Sequence, residues 1–238
     1  MVTVAVSPQD LRLRAVGFAA LARMIGPDVA VWSDTSMLEE LREVLIELGE
    51  SALVDRVDSL VQKGPFDTET LEGQWVRWFD QGRIAPYECS NKLQGLAGPT
   101  AMLADVAGFY KAFGVQVKHE RPDHIVAELE FMALVNLAEA DALERDAQEE
   151  REVSSDAARS FLRDHLGGWV DAWAARLSST EPDGTWAQLA ALIDQYVAAE
   201  AQRRNVIPVR SSAAFADNDL IFDEEPPLPE CGSDTEEL

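Results

Sequence analysis

Arg121-Pro122-Asp123-His124-Ile125, running on through Val126-Ala127-Glu128-Leu129-Glu130-Phe131-Met132 to Ala133-Leu134-Val135-Asn136-Leu137, is the stretch whose reading decides the fold. Pro122 biases the residue before it away from helical angles and Asp123 is a strong N-cap residue, so a helix is predicted to begin here. Ile125, Leu129, Met132 and Asn136 share one stripe, and Phe131, Leu134, Val135 and Ala138 make a second apolar flank. So broad an apolar face predicts a helix surrounded by others, not one lying on a surface. Asp123 and His124 place two ionisable groups at the start of this most buried helix. As a plain cap Asp123 contributes about 1 kcal/mol, and His124 near the positive helix end is expected to stay neutral. The same placement also suits a binding site.

Working outward, the chain shows one helical pattern after another. Ser7-Pro8-Gln9-Asp10 combines a cap, a proline in the first turn and an acid three residues after the cap, which predicts a helix over 8–25 that Gly26-Pro27 stops. Asp34 or Ser36 starts a second, carrying Leu38, Leu41, Leu45 and Leu48; a third spans 52–62 and ends at Gly64-Pro65. Asp67 caps a fourth, with Leu71, Trp75, Trp78 and Phe79 inward. From 81 to 98 the periodicity fails and a long loop is expected, of a length uncommon without a purpose. Pro99-Thr100 opens the next helix, with Met102, Leu103, Val106, Tyr110 and Phe113 inward and Gly114 as a left-handed terminator.

Beyond a connector at 115–120 comes the helix at 123, whose later part, 139–152, is acidic and predicted to face solvent. Residues 156–165 and 168–177 are expected to form two helices meeting at Gly167-Gly168, with Trp169 and Trp173 one turn apart. A last helix from Asp183 or Thr185 to about 203 carries Trp186, Leu189, Ile193 and Val197. With no strand alternation and no internal repeat, the expected class is all-α: a single helical domain over 1–210, made of an N-terminal part (1–114), the connector (115–122) and a C-terminal part (123–205). Residues 211–238 hold many acids, no lysine or arginine, and Pro226, Pro227 and Pro229, which predicts a disordered tail. Inside it Leu220-Ile221-Phe222 is an apolar knot, either incidental or a short docking motif.

Forty-three acidic against 20 basic residues give a net charge of -23, which excludes a typical nucleic-acid binder and favours basic partners. Cys89 and Cys231 lie too far apart for a disulfide framework or zinc ribbon, no run reaches the length of a membrane span, and residues 2–6 are too short for a signal core. A reduced, soluble, cytoplasmic protein is expected. No phosphate loop, dinucleotide fingerprint, nucleophile elbow or His-Glu-x-x-His motif is present, and His119, His124 and His165 are scattered, so neither metal nor cofactor is expected. A triad of Cys89 or Ser90 with His124 and Asp123 fails on direction, because adjacent residues at a helix start project differently. Trp75, Trp78 and Phe79 suit a core stripe, whereas Tyr87, between Pro86 and Glu88, suits the lining of a peptide groove.

Pro86-Tyr87-Glu88-Cys89-Ser90, Tyr110 with Phe113-Gly114, and Arg121-Pro122-Asp123-His124-Ile125 before Glu128-Leu129-Glu130-Phe131-Met132 resemble the motif series of the TorD/DmsD/NarJ family. These are cytoplasmic assembly chaperones of molybdopterin-dependent oxidoreductases. The resemblance covers about 8–205, is strongest over 75–137, and departs from the commoner form at Cys89, where serine is expected. It implies a helical bundle of the TorD type, no enzymatic activity, and binding of a client's catalytic subunit, often through a twin-arginine leader, until the molybdenum cofactor is inserted before export. It implies a peptide site at Asp123 and His124, joined by Tyr87, Trp75, Trp78 and Phe79. The protein would be a monomer or an exchangeable dimer. Two other readings stand beside it: a small helical enzyme using Cys89 or His124, and an acidic interaction module acting through its tail.

Overall fold

The structure, a computed structural model, describes residues 6–92, 98–118 and 120–210. The expected tail, Cys231 and His119 lie outside these. Among the described residues every regular element is helical: α1 (Pro8–Ile25), α2 (Ser36–Glu47), α3 (Ser51–Val61), α4 (Thr68–Trp75), α5 (Glu88–Asn91), α6 (Gly98–Ala112), α7 (Ile125–Glu144), α8 (Gln148–Asp164), α9 (Val170–Thr180) and α10 (Thr185–Arg203). No helix there is long and apolar enough to cross a membrane.

Local signals explain most boundaries. Ser7 and Asp10 form the reciprocal capping box at α1, each side chain bonding the other's backbone N–H. Asp67 caps α4 through Glu69 N–H, and Gly114 ends α6 at a φ of 71° that favours glycine. At Trp75 the helix widens into a π-turn, Val76–Asp80, which turns Trp78 and Phe79 inward together.

The long helix α7 runs through the centre. Its most extensive partner is α1, and α8 covers another side, while α10 packs on α9 and α3. One continuous apolar core therefore spans both sides of the connector, and Trp32, Trp169, Trp173 and Trp186 are all buried in it. Gly17 of α1 meets Tyr196 of α10 so closely that an added Cβ would lie 2.2 Å from the phenol oxygen. That oxygen donates to the Arg14 carbonyl at 2.9 Å, fixing α1 against α10.

Four expectations change. Asp123 does not cap α7: His124 does, its Nδ1 accepting from Val126 N–H at 3.2 Å. The expected loop at 81–98 contains the buried turn α5. The acidic stretch after 139 is not uniformly solvated, because Glu139, Ala140 and Ala142 are buried and Glu139 pairs with Arg204 at 2.9 Å. Finally, α7 stops at Asp146, which takes a φ of 54°, and α8 begins at Gln148 rather than near 156. Trp169 and Trp173 do meet, edge to face, with ring centroids 6.1 Å apart.

Candidate functional site

Where the connector joins α7, the segment at 86–88 lies antiparallel to 123–125: Glu88 N–H donates to the Asp123 carbonyl and Ile125 N–H to the Pro86 carbonyl, both at 2.9 Å. This short pairing brings together the two most distinctive pieces of sequence. The Tyr87 ring stands edge-on to the His124 imidazole at 5.1 Å, and the Arg121 guanidinium covers its other side at 4.4 Å. The Tyr87 hydroxyl donates to Glu120 at 3.2 Å.

Asp123 is fully buried beneath this layer. Its carboxylate receives two bonds from Arg121, at 3.0 and 2.8 Å, and one from Cys89 N–H at 3.1 Å. The cationic and amide partners of this carboxylate are thus supplied by the chain itself. Asp123 holds the connector and α5 in place. His124 is 5% exposed and lines an opening. Burial lowers its pKa below the ordinary value, against the opposing pull of Glu120 and Asp123. Its cap bond requires an unprotonated Nδ1, which assigns the neutral tautomer with the proton on Nε2.

Behind this layer sits a second buried set. Glu88, with no exposure, is contacted by His165 Nδ1 at 3.1 Å and by Lys92 Nζ at 3.0 Å. Glu128, also fully buried, accepts from Trp169 Nε1 at 3.0 Å, while its other oxygen has no hydrogen-bond partner. Burial and then the charge of Glu88 raise the Glu128 pKa well above the ordinary glutamate value. Sequence reasoning missed Glu88, Glu128 and His165. A signal existed for Glu128, which falls three residues after Ile125 and four before Met132, on the buried face.

The opening itself consists of two depressions, of about 470 and 590 Å³, that share Tyr110, the residues 115–117 and Glu120. Ala127, Phe131 and Leu134 of α7 floor the first. Continuing by helical spacing along the same face, Ala138, Asp141 and Arg145 line a further depression of about 480 Å³ with Glu149 and Glu150. The stripe from 127 to 145 is about 27 Å long at 1.5 Å per residue. It is apolar near His124 and acidic at the far end.

Trp75, Trp78 and Phe79 are placed elsewhere. Trp75 donates to the Ile25 carbonyl and Trp78 to Glu181, and the Phe79 ring packs against Trp75, Trp173 and Trp186. The structure therefore joins Tyr87, Asp123 and His124 and sets the three other aromatics into the core. Nor are Cys89 and His124 disposed as a catalytic pair. The Cys89 thiol is buried and pushed up to about 12, so it stays protonated, and His124 Nδ1 is occupied by its cap bond.

Comparison with known proteins places the chain in a family. Residues 34–175 match the family described as nitrate reductase delta subunit. The chain is 32% identical over 205 residues to the chlorate reductase assembly chaperone protein of Ideonella dechloratans, covering 83% of this chain and 92% of that one. It is 31% identical over 199 residues to the selenate reductase assembly chaperone protein of Thauera selenatis, covering 79% and 88%. A helical bundle with matching relatives over most of its length, the chain belongs to the nitrate reductase delta subunit family, the NarJ-type group that its Pro-Asp-His-Ile motif resembles.

Proposed function

We propose that this protein is a non-enzymatic assembly chaperone that binds the catalytic subunit of a molybdopterin-dependent oxidoreductase in the cytoplasm and recognises that client's leader in the depression beside α7. The names of both relatives support the chaperone role, and the stripe along α7 supports the leader. A leader of the twin-arginine type is basic at one end and apolar beyond. Its apolar run fits over Ala127, Phe131 and Leu134, and its basic end reaches Asp141, Glu149 and Glu150. Those acids are already engaged in part, Asp141 with Arg12 and Glu150 with Arg145, but both pairs are solvent-exposed and exchange readily. His124 and Tyr87 form the wall at the apolar end, and Asp123 acts through Arg121 and Cys89 as a positioning residue.

The observation that carries this reading is the half-buried Leu134 in the floor of the depression. A synthetic twin-arginine leader should bind Leu134→Asp at least tenfold more weakly than wild type, while the urea midpoint moves little. Equal affinities in a folded variant would remove the depression from client binding. Asp123→Ala should lower stability and affinity together, because the groove wall loses its support.

A further inference from the structure

The depression beside the connector has a second feature that a basic leader leaves unused. In a chain of net charge -23, the exposed Lys111 and Lys118 stand at its edge, and no described carboxylate pairs with either. Of the acids at the same edge, Glu120 is engaged by Tyr87 and by Arg121 N–H, and Glu130 is exposed. An occupant apolar at its centre and acidic where it passes Lys111 and Lys118 would meet both lysines.

One such segment belongs to the chain itself. Residues 211–238 contain nine acids and no lysine or arginine, and Leu220-Ile221-Phe222 is bracketed by Asp217, Asp219, Asp223, Glu224 and Glu225. The described chain ends close by. Val209 N–H donates to the Arg163 carbonyl at 2.8 Å and Arg210 pairs with Asp171 at 3.2 Å, beside the end of α8. From there the His165 ring is 5.3 Å from Phe109 of α6, and Phe109 is 6.1 Å from Phe131 in the floor of the depression. Phe109 of α6 thus stands between the two, and a helix is about 10–12 Å across. Ten residues from Arg210 to Leu220 reach up to about 35 Å.

We propose that the segment around Leu220-Ile221-Phe222 docks in the depression between the connector and α7, flanked by Lys111 and Lys118, where a client competes with it for the same surface. The chain thereby carries its own competitor. Tethering gives such a segment an effective concentration of the order of 1 mM, so an intrinsic Kd of about 0.1 mM suffices to occupy the groove some nine-tenths of the time. Client affinity is then reduced about tenfold, in proportion to the open fraction. The competition rests on the client reading above; the docking does not.

The test uses the full chain with a nitroxide on Cys231, which labels in preference to the buried, protonated Cys89. Amide NMR signals of Val117, Ala127 and Phe131 should broaden, should recover in L220D/F222D carrying the same label, and should broaden less in Lys118→Glu. A synthetic peptide with two arginines before a fifteen-residue apolar run should bind L220D/F222D about tenfold more tightly than wild type. Absence of localised broadening overturns docking. Broadening seen only when labelled and isotope-enriched chains are mixed also overturns it, in favour of a second copy. Broadening with equal peptide affinities overturns the competition. If the peptide binds neither form while broadening persists, the client reading fails and docking stands.

Discussion

Two buried polar networks hold this molecule together, and they are built differently. In the first, Arg204 at the end of α10 donates to Glu200 at 2.6 Å, Glu139 at 2.9 Å and Asn136 at 2.8 Å, and Asn136 in turn donates to the Met132 carbonyl. It joins α7 to α10, and Arg14 of α1 stands 3.7 Å from the same Glu200. In the second, Asp123, Glu88, Glu128 and His165 tie short or irregular segments to α7 and α8. Here one Glu128 oxygen and His165 Nε2 lack hydrogen bonds, and the outer layer of Tyr87 and His124 borders an opening. Both are buried, and each leaves a polar atom without a hydrogen bond, Arg14 Nε in the first. What differs is distance from a groove, and that property separates a clamp from the wall of a site.

The sharpest way to break this contrast is Arg204→Ala. It leaves Glu139 buried without its cation and takes from Glu200 the nearest of its partners, Arg203 at 3.3 Å remaining, a change that costs about 3–5 kcal/mol. Urea unfolding should show that loss in full, and leader affinity measured well below the new midpoint should be nearly unchanged. A large affinity loss in the folded variant would mean that the clamp also shapes the groove.

Glu128→Gln probes the second network and should act in the opposite direction. Because the folded state raises the Glu128 pKa, it holds a proton that the unfolded chain releases above the ordinary glutamate value of 4.5. That term favours unfolding more and more as pH rises from 4.5 toward the folded pKa. Glutamine still accepts from Trp169 and has no proton to lose, so the variant should be more stable than wild type at pH 7, with the gain shrinking toward pH 4.5. A variant less stable than wild type at pH 7 would show the carboxylate to be ionised in the folded protein.

The contrast also explains what the sequence could reveal. Helix periodicity exposed the all-α class, and capping residues such as Ser7, Asp67 and Gly114 marked boundaries, because both are local. Pairing of the Tyr87 and Asp123-His124 segments was legible as a recurring motif combination, though not as the antiparallel contact at 86–88 and 123–125. The burial of Glu139 was hidden because its partner, Arg204, is 65 residues away. For the same reason the cap was assigned to Asp123: capping preference favours aspartate over histidine, and only the distant Cys89 N–H and the geometry of Arg121 draw that carboxylate elsewhere. Trp75 and Trp78 have indole donors that look suited to a ligand, yet Ile25 and Glu181 claim them.

The smallest expected effect tests the assigned cap itself. Asparagine is a strong N-cap residue, so His124→Asn can still accept from Val126 N–H, and its stability at pH 7.5 should lie within about 1 kcal/mol of wild type. Below the ordinary histidine value of 6.5 the two should diverge. A histidine whose folded pKa is lowered takes up its proton first in the unfolded chain, so the wild type loses stability as pH falls from 6.5 through the folded value, and protonated Nδ1 no longer accepts from Val126. The variant lacks this contribution. Every other side chain is common to both proteins, so the difference between two urea-midpoint curves from pH 7.5 to 5.5 isolates position 124. Parallel curves would mean that His124 titrates alike folded and unfolded, and would leave the wall of the groove without its pH-sensitive member.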